Sequence, residues 1–582
     1  MNKTILRHTT LQHTAVVVLL LAAACSALVA DEPADFVLMG GKVYTVNEKQ
    51  PWVEAVAVRG KKIVSVGSNV DVKKHVGDKT KVIDLDGKML LPGFIESHIH
   101  PVAGALVTPG VDLQYDSVDE VLKAVRQYAV SNPDIDLIRG FGWRYALFPP
   151  TGPTRKMLDE IAPDRPVFLY AIDGHAAWAN SKALEMAGIT RDTPDPQPGF
   201  SSYERDPNTK EATGYLIEVP AALNVLTKLQ PQDKQTVAAA FDNLMPEFAA
   251  AGITTAFDAG IQGISADDGF GIYFDMEKKG KLLMRIVGSF YHNNPRIDPL
   301  PMIKSYCRRF QSELVQASIL KINIDGGDAQ HTGAYLLPYA DKPITRGDSI
   351  FTAQQLNDIV IRADAAGIDV HYHSFGDRAV RLGLDAIEAA IKTNPKRDRR
   401  HTTGHTMYIH DDDVPRFAEL GVLANFSANW ATPDSANLDI AVTRLGGRVV
   451  HTEFMRMRSI IDAGGRVCFG TDYPAAGYYS TYKPLETIQI AITRKMLHGE
   501  GLAPVMPPAD ETLTLEQALV AQTLNCAYML HMEDKIGSIE VGKLADLVVL
   551  EKNLFDVDPM DISEVKVSMT MMNGKVTHQD GG

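Results

Sequence analysis

Cysteine is scarce in this chain. Four occur in 582 residues, and with Cys25 inside the N-terminal apolar stretch set aside, only Cys307, Cys468 and Cys526 remain. An odd number at no metal-like spacing argues for neither a disulfide framework nor a thiolate metal site; the three are expected to be buried small apolar residues. Basic residues are also short, 58 Lys and Arg against 72 Asp and Glu for a formal net charge of −14, and no basic cluster interrupts the imbalance. Nucleic acid and an anionic membrane surface are therefore excluded as the main partner. With 45% hydrophobic and 22% charged residues the chain is of ordinary globular composition, neither disordered nor membrane-embedded. No Gly-rich phosphate loop follows any early strand, which counts against a doubly wound nucleotide-binding sheet.

The N-terminus stands apart. "MNKTILRHTTLQHTAVVVLLLAAACSALVA" places Lys3 and Arg7 before an apolar run and a patch of small residues, the three regions of a secretory signal. The run is short for a bilayer span, though an N-terminal anchor is the alternative. Cleavage is expected between about residue 24 and residue 31, giving an exported protein, periplasmic or secreted, without stable membrane insertion. Lipid attachment at Cys25 is disfavoured, because Ala22 stands where a larger apolar residue is preferred.

After this segment, "DFVLMGGKVYTVNE", "VEAVAVRGKKIVSVG" and "KVIDLDGKMLLPGF" are β-rich runs parted by Gly, Asn and Asp, and together they predict an antiparallel meander. The C-terminus has the same texture, with a hairpin turn at Asn573–Gly574. Neither end has strands enough to close a core alone, so residues 31–90 and 535–582 are expected to meet in one small β-sandwich.

Between them, residues 91–534 alternate helical patterns such as "SVDEVLKAVRQYAV" and "TAQQLNDIVIRADAAG" with compact apolar runs. Eight of these are strand candidates: "GFIESHIH", "ITTAFDAG", "LMRIVGSF", "ILKINIDG", "IDVHYHSFG", "HTTGHTMYI", "GVLANFSAN" and "RVCFGTDYP". The alternation predicts an α/β fold, a parallel (β/α)8 TIM-like barrel whose functional groups gather at the C-terminal strand ends. Residues 102–250 are too long for one crossover and form an insertion after the first barrel strand.

Polar groups recur where such a barrel would collect them. In "LPGFIESHIHP" His98 and His100 are two apart, on one side of a strand. Lys321 lies on the fourth strand, His373 ends the fifth, His405 the sixth, and Asp472 follows the eighth. One strand-end histidine means little, but six convergent groups of this kind make a metal site for Zn²⁺ or a similar divalent ion.

The ordered set "LPGFIESHIHP", "DGHAAWANSKALEMAGI", "TGYLIE", "AGITTAFDAG", "LKINIDG", "HSFGDRAV", "GTDYP" and "GSIEVGKLADLVVL" resembles the amidohydrolase superfamily, in the branch of the N-substituted formamide deformylases. The resemblance runs from about Asp35 to about Lys575. It implies two divalent metal ions, zinc foremost, held by His98, His100, His373, His405 and Asp472 and bridged by a carboxylated Lys321. A bare ammonium there would be repelled by both ions; the alternative is a salt-bridged Lys321 beside a single ion. "TTGH" departs from the "Ile-Glu-His" of the family, and "GTDYP" from its "GSD", yet His405 and Asp472 remain. In "HYHSFGD" the pattern selects His373, with His371 one layer below on the same face, either packing or backing the ligands from behind. Such a centre yields hydroxide near neutral pH, and Asp472 would take the proton of the attacking water and pass it to the leaving nitrogen.

By the same resemblance His175 reaches over the barrel mouth to the substrate carbonyl, or else, with Asn180, caps the helix "NSKALEMAG". Trp143 and Trp178 are assigned to packing of the insertion. The reaction implied is hydrolysis of a non-peptide amide bond in a small molecule. Another hydrolase of the superfamily, a deaminase or an esterase, and a non-catalytic metal-binding protein are the alternatives, and self-association of the chain is left open.

Overall fold

The computed structural model describes residues 32–149, 151–196, 201–231, 233–328, 331–497 and 504–581. The candidate signal, with Lys3, Arg7 and Cys25, lies outside them. Eight strands form one parallel sheet: β1 Phe94–Ile99, β2 Ile253–Asp258, β3 Arg285–His292, β4 Val315–Asn323, β5 Asp369–Ser374, β6 Thr402–His405, β7 Leu423–Phe426 and β8 Arg466–Phe469. Each pairs in parallel with the next, as in Lys321 opposite His371 and Ser374 opposite His405. All eight coincide with the runs read from the sequence, because each is a short apolar stretch bounded by turn residues.

The seam between β8 and β1 is closed by individual hydrogen bonds. Ser97 Oγ donates to Phe469 O (2.5 Å), Thr471 N to Glu96 Oε1 (2.8 Å) and Asp472 N to His98 O (2.8 Å). The chain after β8 is thus laid directly over the end of β1, which brings Asp472 to His98. Helices cover the barrel outside. Along Asp377–Thr393 the buried Ala379, Val380, Gly383, Leu384, Ala386, Ile387 and Ala390 form one apolar stripe. The helix Ala353–Ala365 starts at a reciprocal Thr352–Gln355 capping box.

The two ends of the chain share a sandwich. Met89–Pro92 pairs antiparallel with Leu547–Leu550 in a six-stranded sheet, and a four-stranded sheet built around Phe36–Met39 packs on it. Asn573 and Gly574, with φ of 51° and 71°, turn the hairpin between Val567–Met572 and Lys575–Gln579. The N-terminal strands are not the simple meander expected. The chain crosses between the sheets after Met39, and Phe36–Met39 pairs antiparallel with Ala55–Arg59 but parallel with Lys81–Asp84. The reason is burial: Leu38 and Val43 both enter the core between the sheets with Leu547 and Met571, whereas one flat meander would leave a face of its own uncovered.

The segment after β1 builds a mixed six-stranded sheet of its own, with Ile138–Trp143 and Val167–Ala171 parallel and Ala176–Ala179 antiparallel to them. Trp143 and Trp178 are fully buried in it, their indole N–H groups donating to Leu169 O and Thr154 O. Both pack the insertion, as expected. Cys468 and Cys526 are buried, but Cys307 is only partly so, because it sits near the end of the outer helix Leu300–Arg309.

Candidate metal centre

Asp472 Oδ1 lies 3.3 Å from His98 Nε2 and 3.2 Å from His100 Nε2. The three ligand atoms fall within 4.8 Å of one another. Although it is buried, Asp472 Oδ1 makes no hydrogen bond of good geometry with either ring. Three donors converging on a point without bonding one another fit a divalent cation. Asp472 also has φ of 61° and His405 of 64°, a backbone conformation that side-chain-bearing residues seldom adopt. Such strain gathers where geometry is fixed for function.

The remaining groups adjoin this triad. Lys321 Nζ is 3.1 Å from His98 Nε2 and donates to Tyr372 O at 3.3 Å. His405 Nδ1 is 4.0 Å from Asp472 Oδ2, and the His405 and His373 ring centroids are 4.4 Å apart. Close approach of backbone makes this possible. A Cβ on Gly404 would stand 2.6 Å from His371 Nε2, and one on Gly470 2.4 Å from His98 N, so neither position admits a side chain.

Three imidazoles are held through Nδ1. That of His100 donates to Gly260 O (3.1 Å), that of His373 faces Asp325 Oδ1 (3.3 Å), and that of His98 meets His371 Nε2 (3.1 Å). A carbonyl can only accept, so His100 carries its proton on Nδ1 and turns the Nε2 lone pair to Asp472. This is how outer groups fix metal-ligating rings. Asp325 is itself anchored by Phe375 N, Gly376 N and Ala334 N, each at 2.9 Å. His405 stacks on Trp430, centroids 5.4 Å apart and planes at 2°.

The electrostatics favour uncharged ligands. Burial, then the neighbouring Lys321, holds His98 well below the usual imidazole range; burial does the same for His405 and His371. His100 goes the other way: burial lowers it, but Asp472 beside it and the charge of Asp258 together raise it. Burial pushes Lys321 down to about 7, with Asp472 opposing. Near neutrality much of it is free amine, the form that can combine with CO₂.

His175 is not drawn into this cluster. It lies in the insertion between Val167–Ala171 and Ala176–Ala179, its side chain 53% exposed, with Nδ1 3.0 Å from Glu218 Oε2. The Glu218 hydrogen bond raises it to about 9, burial opposing. Among the described residues no hydrogen bond, ion pair or ring contact joins it to the strand-end groups. Of the pair considered for capping, only Asn180 does so: its Oδ1 accepts from Ala183 N (2.9 Å) and Val167 N (3.0 Å).

Asp325, Trp430 and Asp258, the last holding Tyr273 OH at 2.6 Å, were not singled out from the sequence. For Asp325 and Asp258 the one available signal was a carboxylate at the end of a barrel strand. Trp430 gave none.

A description of the amidohydrolase family matches residues 81–578. The chain is 28% identical over 569 residues to protein LONG AFTER FAR-RED 3 of Arabidopsis thaliana, covering 93% of this chain and 91% of that protein. It is also 28% identical over 571 residues to the N-substituted formamide deformylase of Arthrobacter pascens, covering 94% and 99%. The solved structure of an uncharacterized metal-dependent hydrolase from Pyrococcus horikoshii OT3 shares the fold, with a TM-score of 0.69 at 24% identity over 90% of this chain and 99% of that one. The chain belongs to the amidohydrolase family. Membership makes it a hydrolase of the class acting on carbon–nitrogen bonds.

Proposed function

We propose that the protein is an exported enzyme that hydrolyses the amide bond of a small, non-peptide molecule at a centre of two divalent ions, zinc foremost. The observation that carries this is the convergence of His98, His100 and Asp472, with Lys321 against the same His98 nitrogen. The similarity to a deformylase of N-substituted formamides supports an amide rather than an ester as substrate.

His98, His100 and Asp472 would hold one ion, His373 and His405 the other, and Lys321 the bridge. Such ions supply Lewis acidity, which lowers the pKa of water and polarises a carbonyl. The chain's own residues do the rest. Lys321, desolvated and partly neutral, adds through Nζ to CO₂ and loses one N–H proton, leaving an anionic carbamate where a cation would be repelled. Asp472 accepts a proton from the attacking water and returns it to the leaving nitrogen. His175, protonated through the neutral range beside Glu218, is the donor offered to the substrate carbonyl from the insertion.

The test is a screen of formamides, N-acyl amines, N-acyl amino acids and cyclic amides with the metal-loaded chain, reading acid and amine release. Turnover of at least one class is expected, and cleavage of esters alone, or release of ammonia alone from amino-heterocycles, would contradict it. Export is checked separately by N-terminal sequencing, where an intact Met1 on the mature product would contradict it.

A further inference from the structure

A cleft of about 530 Å³ opens between the helix Lys234–Ala250 and the earlier part of the segment that follows β1. Its polar lining is Tyr128, Arg139, Gln230, Gln235, Thr236 and Asn243, and among the described residues no lining side chain is acidic although acids outnumber bases in the chain. None of the metal-centre residues lines it. Small side chains, Ala239 and Ala240, make one wall.

Arg139 is 7% exposed and, among the described residues, has no carboxylate partner. Its Nη1 donates to Gln230 Oε1 (3.1 Å) and its Nη2 to Leu106 O, while Nε has no acceptor among the described residues. Buried guanidinium groups are ordinarily matched by an anion, since an uncompensated interior charge costs several kcal/mol. Here neutral oxygens alone face it. Burial lowers its pKa, opposed only by the phenols of Tyr170 and Tyr128. The cleft is also of the size that takes small molecules.

We propose that this cleft binds a small molecule bearing one carboxylate, with Arg139 as counter-ion and the Ala239–Ala240 wall against its uncharged body. A planar carboxylate matches the guanidinium fork. A phosphate dianion fits less well, because Arg139 is the one cation among the described lining residues and would leave half of its charge uncompensated. The site bears on the metal centre through one element. The helix Pro101–Val107 has His100 as its N-cap and Leu106 O, held by Arg139, near its other end. A carboxylate that draws Arg139 away from Leu106 therefore acts on the helix that starts at a metal ligand.

The test is calorimetric titration of the metal-loaded full chain with benzoate, with benzamide as its neutral counterpart, and with inorganic phosphate. Because binding is read without turnover, its outcome is independent of the substrate assignment. Benzoate is expected to bind both the natural chain and Asp472→Asn, which separates this cleft from anion binding at the metal centre. Arg139→Gln should weaken it by about tenfold or more. Should Arg139→Gln fail to fold, Asn243→Asp puts a negative charge on the exposed rim at constant shape and should weaken benzoate by about threefold. The proposal is overturned if benzamide or phosphate binds as well as benzoate. It is equally overturned if benzoate binding vanishes in Asp472→Asn, or if Asn243→Asp and a folded Arg139→Gln bind it unchanged.

Discussion

Lys321 Nζ stands 3.1 Å from His98 Nε2, amine against imidazole, with both side chains sealed inside the barrel. Among the described residues no carboxylate hydrogen-bonds that amine, which donates to the carbonyl of Tyr372. A lysine so placed is a poor permanent cation and a suitable amine for carboxylation. Lys321→Ala should therefore bind metal weakly and turn over slowly, and added short carboxylic acids should restore part of the activity by occupying the bridge. Lys321→Arg should not be rescued, because a guanidinium stays charged and fills the space. Full metal content and full activity in Lys321→Ala would leave a one-ion centre of His98, His100, His373 and Asp472.

Asp472 has one oxygen among the histidines and its backbone fixed by a hydrogen bond from its N–H to His98 O. Asp472→Asn keeps the shape and that backbone bond but cannot take a proton. Turnover should fall about 10²-fold or more with the fold retained. Steady-state kinetics beside circular dichroism checks this, and near-normal turnover would remove Asp472 from proton transfer.

The His175–Glu218 pair makes a pH prediction. The folded-state pKa of His175, about 9, lies above its ordinary 6.5. Stability from the pair is therefore fully present below about pH 6.5 and lost as pH rises through about 9. Since the side chain is half exposed, solvent screening keeps that contribution small. Glu218→Gln removes the main cause of the elevation, so the His175 ring should titrate nearer 6.5 by NMR. An unshifted titration would show that Glu218 does not hold the proton there.

Much of the barrel was legible because its signals are local. "ITTAFDAG" is an apolar run closed by turn residues, and it becomes β2, Ile253–Asp258. The two-residue spacing of His98 and His100 likewise fixes them on one face, and both reach Asp472. What was not legible depends on partners distant in sequence. His371 holds His98 across 273 positions, and Asp325 holds His373 across 48. No pattern in either segment names the other. His175 shows the opposite limit: its motif is conspicuous, but its contacts are Asp173 and Glu218 within the insertion.

Metal analysis of the purified chain beside its His98→Ala/His100→Ala double variant tests the central claim most directly. Losing a direct ligand should weaken binding well beyond the roughly 10–100-fold typical of an outer group. The natural chain should carry two divalent ions, and the double variant should lose metal together with all hydrolysis. A folded double variant that still holds two ions per chain would mean that these histidines hold something else, and the metal centre described here would be wrong.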